Sequence, residues 1–116
     1  MPRLRTQESE ERYKKLIAAG YLTGGCKLCE APSVKDFTHW RIIRNDFPYD
    51  LIAKAHDMIV PRRHVMEHDL SSQEKKEYDE IKTDHINATY THIIEPTLGL
   101  KSIPGHFHLH LIVAKD

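Results

Sequence analysis

The stretch His106–Val113, HFHLHLIV, places three histidines at intervals of two in an otherwise apolar run. In a β-strand successive side chains point to opposite faces, so His106, His108 and His110 would share one face and Phe107, Leu109, Leu111 and Val113 the other. One face reads as core and the other as a site. Alternate residues of a strand lie roughly 6.6 Å apart, so neighbouring histidines can meet one ion, whereas the outer two, roughly 13 Å apart, cannot easily do so. The three must divide their labour. A polar row on a two-sided strand is the plain alternative, but threonine, lysine or glutamate would serve a solvent face as well.

Working outward, 116 residues fit one domain with a modest core, which welcomes a staple such as a metal ion. Lysine plus arginine equal aspartate plus glutamate, 17 against 17, so no overall field draws the chain to nucleic acid or anionic lipid. The triplet Arg62, Arg63, His64 is too short for a nucleic-acid patch. The beginning, MPRLRTQESEER, has no apolar signal core, and the longest apolar run, Leu111–Ala114, is too short to span a bilayer. A soluble, cytoplasmic protein is the expectation. Nine histidines stand out, whereas two cysteines, Cys26 and Cys29, are too few and too close to frame a disulfide scaffold.

There is no internal repeat. Residues 7–19 read as a helix, acidic early and basic late as the helix dipole favours, with Tyr13, Leu16 and Ile17 on its apolar stripe and Gly20 as its stop. GGCKLCEAPS (24–33) reads as turn, FTHWRIIRND and LIAKAHDMIVP as strands, and NDFPYD (45–50) as the loop between them. Ser71 with Glu74 forms a capping box that opens a second helix, expected to run until Pro96 with Tyr78, Ile81, Ala88 and Ile93 buried. Trp40 reads as core or interface, and His85 and His92, on one stripe of the second helix with Tyr78 and Ile81, as packed or half-exposed residues. The order predicts an α+β fold, an antiparallel sheet with helices packed on one side.

HFHLHLI matches the pattern His-φ-His-φ-His-φ-φ, and in this respect the chain resembles the histidine triad superfamily of nucleotide hydrolases and transferases. CKLCE, NDFPYD, HDMIVPRRHV and HDLSSQEKKEYDEI come in that family's order, so the resemblance spans about residues 26–114. It implies one histidine triad domain over 1–116, with 1–22 as an N-terminal helical extension.

The resemblance makes His108 the nucleophile, attacking the α-phosphorus of a nucleotide conjugate to form a nucleotidyl-histidine that water then cleaves. A purine nucleoside 5′-monophosphate conjugate is the favoured substrate. The residue type suits the task, because an imidazole with a pKa near about 6.5 is largely neutral at pH 7, provided its other nitrogen is held protonated by an acceptor. A backbone carbonyl of the same strand fills that role in relatives. The resemblance gives His110 to the phosphoryl oxygens or leaving group, and matches His56 to an upstream histidine beside the nucleophile. A histidine in the third position, where the uridylyltransferase branch has glutamine, favours hydrolysis over transfer. Asn45 and Asp46 compete for the ribose hydroxyls, although both are also common turn residues. The loop from there to His56 is longer than in many relatives, and KSIPGH (101–106) replaces their glycine, glutamine and serine, leaving Lys101 and Ser102 as the phosphate-side candidates.

Relatives with an N-terminal Cys-x-x-Cys bind zinc through that pair, the histidine that ends the VPRRH strand and the first triad histidine. Here those are Cys26, Cys29, His64 and His106, a closed tetrahedral shell and hence structural. His39 and His68 are nearby alternatives to His64. A redox pair lacks a thioredoxin-like context, and two inert thiols remain open. So do a zinc-stabilised nucleotide-binding module with little catalysis and a metalloenzyme with an open histidine site. Relatives are commonly homodimers, which is carried as resemblance.

Overall fold

The computed structural model describes residues 4–101 and 103–116. Helix α1 spans Gln7–Ala18, capped by the Thr6 side chain, and ends where Gly20 adopts a φ of 94° that side chains other than glycine resist. A short helix α2 (Lys27–Glu30) then precedes β1 (Ser33–Asp36), β2 (Trp40–Arg44) and β3 (Ala53–Pro61). Helix α3 (Ser72–Ile81) runs into a π-helical turn, Lys82–Ile86, and a last α turn, Asn87–Thr89. Strands β4 (His92–Ile94) and β5 (Leu109–Ala114) complete an antiparallel sheet of order β1-β2-β3-β5-β4. The expected α+β class is met.

Register assigns the two faces. Ile42 pairs with Ile59, which pairs with Leu109, and this row packs with Trp40, Phe107, Leu111, Ile81 and Ile86 into the main core under α3. One residue along, Ile43 pairs with Met58 and Met58 with His110, so the histidine row occupies the opposite face. There Leu28 of α2 packs on Ile43, Met58 and Val60. Trp40 is fully buried, and its indole N–H donates to the Glu74 carbonyl 2.8 Å away, so it is core.

Several sequence expectations need correction. The second helix does not reach Pro96: it stops at Thr89, and His92–Ile94 pair with the free edge of β5 instead. Sheet pairing of the β-branched Ile93 and Ile94 outweighs helical continuation. Ala88 is exposed and Ile86 buried in its place, because the π-helical turn widens the spacing so that Ile81 and Ile86 share one face. Ile93 does pack against the main core, but from β4. The GGCKLCEAPS turn contains α2, and β1, an exposed edge strand, follows it. Only His110 of the trio lies within a paired strand. His106 and His108 sit in the extended chain leading into it, where the Phe107 N–H donates to Val65 O at 2.7 Å.

Candidate active site

On the histidine face a cleft of about 650 Å³, including its open mouth, is lined by His108, His110, Asn45, Asp46, Tyr49 and Lys101, among others. Nδ1 of His108 lies 2.9 Å from the carbonyl oxygen of His106, so it carries the proton and donates it there. Nε2 is then the bare nitrogen. It has no hydrogen-bond partner among the described residues, and since none of their fully buried side-chain nitrogens or oxygens lacks one, Nε2 is open to the cleft. Burial pushes the His108 pKa down, with Lys101 adding to the effect and the His106 carbonyl opposing it, so the ring is neutral at pH 7.

His110 is set by a chain of hydrogen bonds. The backbone N–H of Tyr49 donates to His56 Nδ1 at 2.9 Å, which leaves the proton of neutral His56 on Nε2. That Nε2–H meets His110 Nδ1 at 2.8 Å. The remaining proton of His110 is therefore on Nε2, near the Tyr49 hydroxyl at 3.4 Å and on the cleft wall. Asn45 Nδ2 also lies 3.3 Å from His56 Nε2. It cannot donate there, since a neutral imidazole has one acceptor nitrogen and Tyr49 already uses it. Burial lowers the His56 pKa to about 4, aided by Arg5. Burial, then His56, His108, Arg5 and Lys101, lower that of His110 to about 3. The cleft thus offers a nucleophilic nitrogen beside a neutral N–H donor, both set by hydrogen bonds in advance.

The other predicted residues divide. His56 is buried behind His110 and does not stand beside His108. Asn45 reaches the cleft, with its Oδ1 accepting the Phe47 N–H at 2.6 Å. Asp46 is there too, but its carboxylate takes the Tyr21 hydroxyl at 2.5 Å. Lys101 lines the cleft and pairs with Glu95 at 3.3 Å. Ser102 lies outside the described residues. Sequence reasoning missed Tyr49, read as part of a connecting loop, and Arg5, which carried no signal.

Cys26, Cys29, His64 and His106 come together, with one donor atom of each within 4.8 Å of every other. His39 and His68 are not in the cluster: His39 holds Glu77 through its backbone N–H, and His68 stands beside Asp69. An ion bonded tetrahedrally at roughly 2.0–2.3 Å sets its donors about 3.3–3.8 Å apart. Cys26 Sγ and Cys29 Sγ lie 3.5 and 3.3 Å from His106 Nδ1, and Cys29 Sγ lies 3.3 Å from His64 Nδ1. Two sulfurs crowd one His106 lone pair, since that ring's Nε2–H is committed to Pro61 O at 3.0 Å. A shared cation accommodates this geometry better than thiol hydrogen bonds do, and the carbonyl behind the ring is the outer-sphere partner a ligating histidine needs. Without a cation, burial and neighbouring Cys26 push the Cys29 thiol pKa up. Gly24 and Gly25, with φ of 83° and 141°, turn the chain into Cys26, and a Cβ on Gly25 would meet Glu30 Oε1 at 2.6 Å.

No helix among the described residues is long and apolar enough to cross a membrane. The sequence matches no family model and no curated protein. Among solved structures, a HIT (histidine triad) family hydrolase from Legionella pneumophila Philadelphia 1 is similar, with a TM-score of 0.55 and 17% identity. The likeness covers 79% of this chain and 95% of that one. At this identity it is a likeness of fold, and the α+β architecture described above is HIT-like.

Proposed function

We propose that the protein hydrolyses nucleoside 5′-monophosphate conjugates through a covalent intermediate on His108. The observation that carries this reading is the Nδ1–H bond from His108 to the His106 carbonyl, which leaves Nε2 as a bare nucleophile facing the cleft. Nε2 attacks the α-phosphorus, the bond to the leaving group breaks with its electron pair, and His110 Nε2–H stabilises the developing negative charge. Water then attacks phosphorus, giving up a proton to the departed leaving group or to solvent, and the P–N bond breaks with its electron pair returning to Nε2, which releases the nucleoside monophosphate and restores neutral His108. Asn45 at the cleft wall supplies polar contacts to the sugar, and Lys101 a charge for the phosphate. The cluster of Cys26, Cys29, His64 and His106 suits zinc in a structural role, because four protein donors leave no position for a reacting water.

The test is intact-mass analysis after brief mixing with adenosine 5′-phosphoramidate and with an adenylyl anhydride. A nucleotidyl increment is expected on the wild-type chain and absent in His108→Ala. Turnover in His108→Ala equal to wild type would end the proposal.

A further inference from the structure

We propose that Arg5, carried on the segment ahead of α1, is a substrate-binding residue of the cleft, its guanidinium taking the phosphate of the bound nucleotide. The proposal rests on the nucleotide reading above and assigns a part of the site to the N-terminal extension. Arg5 lines the same cleft as His108, His110 and Lys101. Its side chain is only 16% exposed, and its position is built rather than adopted by chance. Nε–H donates to the Phe47 carbonyl at 2.9 Å, while the guanidinium carbon lies 4.4 Å from the Tyr13 ring centre and 5.0 Å from that of Tyr49. Tyr49 is the residue whose ring centre lies 5.0 Å from that of His110 and whose hydroxyl approaches His110 Nε2. Arg5 therefore stands one aromatic ring from the N–H donor of the cleft.

The segment itself is tied down. The Asp50 carboxylate accepts the Thr6 N–H at 2.7 Å, the Thr6 hydroxyl at 3.1 Å and the Ser9 hydroxyl. The Leu51 N–H donates to Leu4 O at 3.0 Å, and Leu4 packs with Tyr49, Ala53 and Ile112. The loop that fixes His56 through the Tyr49 N–H thus also seats Arg5.

What Arg5 lacks is a full complement of acceptors. Its only acidic partner among the described residues is Glu10, which meets Nη1 at a long 3.4 Å, and Nη2 has no hydrogen-bond partner among them. A guanidinium is a planar fork suited to two oxygens of one phosphate or carboxylate, and a sheltered one left half-satisfied favours such an anion. The downward influence of Arg5 on the pKa values of both His56 and His110 agrees with its proximity to the reacting end of the cleft.

A purely structural pin would affect all ligands alike, whereas a phosphate ligand acts on AMP and not on adenosine. Isothermal titration of the full chain with AMP and with adenosine separates these. Arg5→Gln is expected to weaken AMP at least tenfold with adenosine unchanged within twofold, and Arg5→Lys to fall between. Glu10→Gln, which frees the fork and leaves the cleft intact, is expected to tighten AMP about two- to fivefold, the usual scale of a weak ion pair. Equal losses for AMP and adenosine in Arg5→Gln, or AMP binding that does not tighten in Glu10→Gln, would overturn the proposal. If the wild-type chain binds AMP and Arg5→Gln binds it equally well, this inference alone fails. If the wild type binds no AMP, the nucleotide reading fails with it.

Discussion

His106 serves His108 through its backbone and the cysteine cluster through its ring. Its carbonyl oxygen accepts His108 Nδ1–H at 2.9 Å, while its own Nδ1 faces Cys26 and Cys29 at 3.5 and 3.3 Å. One residue therefore links the candidate metal centre to the tautomer of the candidate nucleophile, and disturbance of the first is transmitted to the second over a single peptide unit.

Metal removal should accordingly lower both stability and rate. Elemental analysis is expected to find one zinc per chain, lost in Cys29→Ser. With free zinc at about a thousand times its Kd, binding stabilises the fold by about 4 kcal/mol, and most of that should vanish in the variant. Stoichiometric zinc retained in Cys26→Ser/Cys29→Ser would redirect the assignment to the histidines.

His110→Ala should reduce kcat by about 10²–10³ while KM changes little, the signature of a donor that acts on developing charge. The same variant leaves the His56 Nε2–H without its acceptor, at a cost of about 1–3 kcal/mol. Steady-state kinetics and urea denaturation read the two effects separately. An unchanged kcat would remove His110 from the chemistry.

Acid should destabilise the protein from pH 6.5 downward. An unfolded histidine titrates near 6.5, whereas folded His56 and His110 titrate near about 4 and about 3. Between these values the unfolded chain binds protons that the folded chain refuses, so stability rises with pH in this window and is lost as pH falls through it. The loss by pH 4.5 is on the order of 2 kcal/mol per histidine. Urea midpoints measured at half-unit steps would reveal it, and a flat profile from pH 7 to 5 would contradict the buried neutral pair.

Glu74 adds a second acid step. The Arg63 hydrogen bonds at 2.6 and 3.1 Å hold its pKa at about 2 against the opposing effect of burial, with Ser71 assisting. Since the group titrates near 4.5 when unperturbed, its contribution is present above that pH and lost toward 2. Glu74→Gln should cost about 1–2 kcal/mol at pH 7 and remove this lower step, both visible in thermal melts.

How far the sequence carried the argument depended on whether a residue's role was local. The capping box at Ser71 and Glu74 is written within four residues and is present as read. The alternation of 106–113 separated core from site because a strand period needs no distant information, and the pattern holds even where His106 and His108 precede the paired strand. The cysteine pair drew His64 and His106 as partners only through family resemblance, and the fold brings those four together. Where partners lay far along the chain, reading failed. The helix end at Thr89 depends on an open edge of β5, and the place of Arg5 on Tyr49 spans 44 residues. Arg41 in WRIIR offered a usable clue, since a charge inside a buried strand demands a partner.

That partner is the backbone around the cysteines. The buried guanidinium of Arg41 donates to the carbonyls of Leu28, Cys29 and Ala31 and to the Ser33 hydroxyl, bracing α2 and the residues after it from beneath. This brace uses no sulfur and no imidazole, so loading an ion should leave it in place. Loading would therefore be capture by a waiting shell rather than a folding event. The apoprotein should retain α2 against the sheet, and zinc uptake should proceed at a rate set by encounter with the exposed Cys29 and His64.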